Sequence, residues 1–131
     1  MIKKLTTITA TLFCLAAHAQ LPAPAAVPMA FPEDAQPLTA SQLDERLRGH
    51  VFTATLADGT GWRLDYKATG YAFANISNGA SDSGKWRAED GKMCIDYRGR
   101  FPAGCSEIRA SAQALYLKRG STGEIVTLHE Q

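Results

Sequence analysis

The feature that most constrains this chain is a two-residue alternation that recurs in short stretches, each ended by turn residues. In "WRLDYKA", Trp62, Leu64, Tyr66 and Ala68 alternate with Arg63, Asp65 and Lys67, the pattern of a strand with one buried face. "HVFTATL" puts Phe52, Ala54 and Leu56 on one side, and "GKWRA" sets Trp86 between Lys85 and Arg87. "YAFANIS", "KMCIDY", "CSEIRA", "ALYLKR" and "EIVTLHE" read as further strands. The breaks between them, "ADGTG", "ATG", "NGASDSG", "EDG", "FPAG" and "RGSTG", carry turn chemistry. The expectation is a mainly β fold, a small antiparallel meander of about eight strands closed as a barrel or folded as a sandwich. Trp62, Tyr66, Phe73, Trp86, Tyr97 and Leu115 are expected to face its interior.

One short helix precedes the strands, in "LTASQLDERLRGH". Thr39 caps Ala40–Arg48, and Gln42 at the third helical position completes a capping box. Leu38 before the cap and Leu43 at the fourth position have the spacing of a hydrophobic staple. Leu43 and Leu47 share a face, and Gly49 suits the stop.

The start of the chain reads as a targeting signal. Lys3 and Lys4 precede a short apolar run from Leu5 to Ala17, and Ala17-His18-Ala19 is a small-x-small cleavage pattern. Residues 1–19 are therefore expected to be a signal peptide, cut between Ala19 and Gln20. The run falls short of the about 20 residues that span a bilayer, so no transmembrane segment is expected. Phe13 before Cys14 does not fit a lipid-attachment site. Cleavage removes two of the 14 Lys and Arg and none of the 13 Asp and Glu, so the net charge becomes 12 − 13 = −1. That balance argues against a nucleic-acid partner. Residues 20–37 hold five of the six prolines, the composition of an extended linker reaching about 55 Å at ~3.1 Å per residue. The folded domain is then expected over 38–131. Met29 and Phe31 could make the linker a docking segment, but the spacer reading is preferred.

The cleaved chain keeps two of three cysteines, Cys94 and Cys105, and an even count in an exported chain favours a disulfide. Met93, Ile95 and Tyr97 form the apolar set of one strand, so Cys94 shares the other face with Lys92 and Asp96. In the next strand Ile108 and Ser106 point inward, leaving Cys105 outward with Glu107 and Arg109. Setting Cys94 opposite Cys105 sets Lys92 opposite Glu107, a favourable cross-strand pair. The spacing is not the Cys-x-x-Cys of a redox motif, and a zinc site needs more ligands nearby. A structural staple is expected, with no metal and no cofactor.

"LxxxLxG", then "GKWRAEDGKMCIDY", then a cysteine about eleven residues on and two more strands, resembles a family of small secreted proteobacterial proteins of unknown function. The resemblance spans roughly residues 38–128. It implies a fold and a compartment, and it brings no catalytic residues.

Catalysis of acyl transfer needs a nucleophile, a base and an orienting group. After cleavage only His50, on the parity of Phe52, and His129, near the fraying end, remain as histidine bases. The carboxylates fall in turns or on outward faces, where solvated charge is the expected role. Neither a Gly-rich phosphate loop nor "HExxH" is present. The reading is therefore a binding protein rather than an enzyme. Arg98, Arg100 and Phe101 in the stapled "RGRFPAG" loop have the residue types of binding hot spots. The first expectation is a periplasmic or secreted protein-binding or accessory module, inhibitor-like, using that loop. The alternative is a lipocalin-like carrier of a small apolar ligand, with Trp62, Tyr66, Phe73, Trp86 and Tyr97 facing it.

Overall fold

A computed structural model describes residues 17–21 and 26–131. The apolar core of the expected signal peptide, with Cys14, lies outside the described residues. The elements are β1 (Gln36–Pro37), α1 (Ala40–Leu47), β2 (Val51–Thr55), β3 (Gly61–Tyr66), β4 (Tyr71–Ile76), β5 (Ser81–Glu89), β6 (Lys92–Tyr97), β7 (Gly104–Ala110), β8 (Leu115–Lys118) and β9 (Ile125–Glu130). Strands β2 to β9 pair antiparallel with their sequence neighbours, and β9 returns to β2. The meander is thus a closed eight-stranded barrel, not a sandwich. Among the described residues, closure gives each of these eight strands a neighbour on both sides.

Helix α1 forms as its capping residues dictate. Thr39 Oγ1 accepts from Gln42 N, Gln42 Oε1 accepts from Thr39 N, and Asp90 Oδ1 accepts from Ala40 N. Leu43 and Leu47 are fully buried, and Leu38 packs against the same core. Gly49 ends the helix with φ 79°, a backbone state glycine adopts at little cost. The helix lies at the barrel end formed by the β3–β4 and β5–β6 turns, where Gly49 N donates to Tyr66 O and Gly91 N to Leu38 O. Three aromatic rings fill the barrel above it: Phe52 and Tyr66 lie 6.1 Å apart, and Tyr66 and Trp86 5.3 Å apart, both edge-on. Arg48 stacks 4.8 Å from the Trp86 ring centroid. That end is sealed.

The interior parity of β4 differs from expectation. Ala72 and Ala74 are buried while Phe73 is 42% exposed. Phe73 faces outward because of its neighbours' size. One row of paired residues crosses the sheet as Tyr66, Ala72, Gly84 and Tyr97, and only small residues in its middle leave room for the rings on either side. Gly84 is the tightest of these. An added Cβ there would lie 2.0 Å from Asp96 O.

Two further expectations are corrected. Residues 20–37, expected as an extended linker outside the 38–131 domain, in part pack on that domain. Gln36 and Pro37 pair with Ala110 and Arg109 as β1, Ala35 is 2% exposed, and Phe31 stacks under the Arg109 guanidinium at 4.6 Å. Pro28 O accepts from Ile125 N. Proline keeps this stretch extended, and extended backbone is what a sheet neighbour and an outer wall can hold. Not every carboxylate is solvated, either: Asp65 and Glu124 are buried. Asp65 pairs with Lys67 Nζ at 2.7 Å and Glu124 with Arg119 Nη1 at 2.8 Å, which offsets the cost of burying charge. His129 is part of β9, opposite Thr53.

Candidate functional site

The end of the barrel opposite α1 is open. A cavity of about 620 Å³ occupies this half of the interior, within the usual range of ligand pockets. Its walls are Trp62 and Leu64 of β3, Ala74 and Ile76 of β4, Met93, Ile95 and Tyr97 of β6, and Leu117 of β8. Its rim is completed by Phe101–Ser106 and by Arg119, Gly120 and Ser121. Two barrel features make this space. The Phe52, Tyr66 and Trp86 rings pack the α1 end, and the small Ala74 takes the next inward position on β4.

The expected interior aromatics divide between the two halves. Trp62 and Tyr97 line the cavity. Tyr66, Trp86 and Leu115 belong to the sealed core, and Phe73 lies outside. Burial pushes the Tyr97 phenol up to about 12, with Asp82 adding to the shift. Burial and the nearby Tyr97 push the Tyr66 phenol well above its ordinary value. The Tyr66 hydroxyl is buried without a hydrogen-bond partner among the described residues.

The stapled loop is built by a carboxylate that sequence reasoning missed. Asp82, at the start of β5, accepts from Gly99 N at 3.0 Å and Phe101 N at 2.9 Å, and from Ser83 N at 2.8 Å. The Phe101 amide, followed by those of Ser83 and Gly99, holds the Asp82 carboxyl below its usual value. The "SDSG" stretch reads as a turn; only the fold brings it to the loop. Arg98, Arg100 and Phe101 then go three ways. Arg98 folds onto the outer wall, donating to Tyr71 Oη at 2.8 Å. Arg100 is exposed. Phe101 turns inward, packing edge-on against Tyr97 at 5.4 Å and lining the cavity. The loop is therefore part of the cavity wall.

Cys94 and Cys105 are bonded in the expected register, with Lys92 opposite Glu107. Cys94 is nonetheless 1% exposed, although it belongs to the outer face rather than to the core cluster. A Glu89 carboxylate oxygen lies within 4.8 Å of both sulfurs, but disulfide sulfurs lack the thiolate charge that binds metal. Outside the cavity, His50 Nδ1 is paired with Glu130 Oε1. Among the described residues, the cavity lining holds neither histidine nor carboxylate.

At the rim, Arg119 stacks 5.3 Å from the Trp62 ring centroid while Glu124 anchors it. Glu124 Oε1 accepts in turn from Ala57 N at 2.8 Å. The β8–β9 loop is thus fixed to the β2–β3 loop through the buried Glu124 carboxylate. The arrangement can hold an apolar body against aromatic walls, with Arg119, Ser106 and Ser121 at the rim. Compared with family models, curated proteins and solved structures, the chain matches none.

Proposed function

We propose that this protein is an exported cell-envelope binding protein whose barrel holds one small, largely apolar ligand. The observation that carries the reading is the cavity of about 620 Å³ at the open end, walled by Trp62, Tyr97 and Phe101. Export is supported by the signal-like start of the chain, by the Cys94–Cys105 bond and by the resemblance to small secreted proteins. Among the described residues no helix is long and apolar enough to cross a membrane. The test is titration of the mature chain with the neutral fluorophore N-phenyl-1-naphthylamine. One probe should bind per chain with quenching of Trp62, and Ala74→Phe, which fills the cavity from its wall, should weaken binding at least tenfold. A wild-type chain that leaves the probe dark would remove the reading.

A second reading, protein capture through the stapled loop, is favoured by one observation. Arg100 is exposed on a loop whose backbone Asp82 holds in place, which lowers the ordering cost of contact. The two readings separate by substitution. The carrier requires Phe101→Ala to weaken the probe and Arg100→Ala to leave it unchanged, whereas protein capture requires Arg100.

A further inference from the structure

The wall of the barrel is parted beside the cavity. Strand β7 changes neighbours along its length: Gly104–Glu107 pair with β6, while Ile108–Ala110 pair with β8. The β7–β8 ladder ends at Ile108 and Leu117. Continued in register, it would set Ser106 opposite Arg119 and Cys105 opposite Gly120. Instead all four residues line the cavity, so the two strands diverge there and the cavity reaches between them.

Two hydroxyls and one guanidinium of the cavity lining lie at this parting. The Ser106 and Ser121 hydroxyls, and Nε and Nη2 of Arg119, have no hydrogen-bond partner among the described residues. Among the described residues, Arg119 is the one charged side chain of the lining. Its charge is already offset by Glu124 at 2.8 Å, whose side chain is 7% exposed. The parting thus offers hydrogen-bond donors without an unbalanced positive charge. A carboxylate placed there would sit beside buried Glu124 with no second cation to compensate it. An ammonium would meet the Arg119 guanidinium. A hydroxyl, ester or ketone oxygen meets neither penalty and accepts from groups that otherwise lack a partner.

We propose that the cavity takes an uncharged amphiphile, its hydrogen-bonding head at the β7–β8 parting beside Arg119 and its hydrocarbon body inside the barrel. The inference rests on the carrier reading. A volume of about 620 Å³ accommodates roughly 20 non-hydrogen atoms at the ~30 Å³ that liquid water occupies per molecule.

The experiment is displacement of bound N-phenyl-1-naphthylamine from the mature chain at pH 8 by ligands of one chain length: 1-decanol, decanoate and decyltrimethylammonium. The expected result is displacement by decanol at a concentration at least tenfold lower than by either ion. In a Ser106→Val variant, decanol should lose at least fivefold relative to the probe. Displacement by decanoate at the same or a lower concentration overturns the head-group assignment while the carrier reading stands. Decanol that is equally effective against wild type and Ser106→Val overturns the placement of the head. A chain that binds no probe removes both.

Discussion

At the scale of single residues, the barrel depends on positions where one atom more is too many. The ring pair Tyr66 and Tyr97 is accommodated because Ala72 and Gly84 lie between them in the row. Gly84→Ala drives a methyl into the Asp96 carbonyl, and the obstacle is backbone. We expect a loss of more than about 3 kcal/mol, beyond the ordinary range for overpacking; a urea midpoint close to wild type would contradict this. Asp82 acts through hydrogen bonds to the loop. Its folded pKa lies below the ordinary value of 3.8, so its contribution is present above that value. It is lost as pH falls through the folded pKa. In an NMR titration, the Gly99 and Phe101 amide shifts should move together with a midpoint below 3.8. A midpoint at or above that value would mean the carboxylate is not held as described.

At the scale of elements, the strands were legible wherever one face was clearly apolar. β3, the second half of β5 and the capped helix follow from pattern alone, whereas residues 81–84 read as a turn and are strand. The pairing of Cys94 with Cys105 also follows, since two independent pairs, the cysteines and Lys92 with Glu107, select one register. The inward face of β4 was not legible. "YAFANI" is apolar at adjacent positions, and size complementarity across β3 and β5 decides its parity. The docked part of the proline-rich segment was hidden for a related reason, because composition specifies an extended backbone but not the wall it lies on. Nor could the Asp82 loop or the end of the β7–β8 ladder be read, since each depends on residues brought together by closure. The disulfide belongs to this scale as well. It ties β6 to the half of β7 that lacks β8 as a neighbour. A cross-link of 11 residues should contribute about 3 kcal/mol, most of it by limiting the unfolded chain. Urea unfolding of the oxidised chain against a Cys94→Ser, Cys105→Ser double variant measures this, and a difference under about 1 kcal/mol would rule out a structural staple.

At the scale of the whole molecule, the two ends of the barrel are built for different ends of one task. Helix α1, Arg48 and the Phe52–Tyr66–Trp86 rings close one end. The other end is left unfilled between its walls, with the small Ala74 inward on β4, and hangs its loops on Asp82 and on the Arg119–Glu124 pair. A barrel filled throughout would be more stable, because an unfilled interior forgoes packing contacts. The unfilled half is the basis of the carrier reading. Its most direct test is native mass spectrometry of the chain exported from cells and purified without refolding. The account predicts a chain beginning at Gln20, lighter by two hydrogens for the Cys94–Cys105 bond, carrying one discrete small-molecule mass that departs on denaturation. A chain of bare mass in the gentlest conditions that also fails to take up N-phenyl-1-naphthylamine would contradict it.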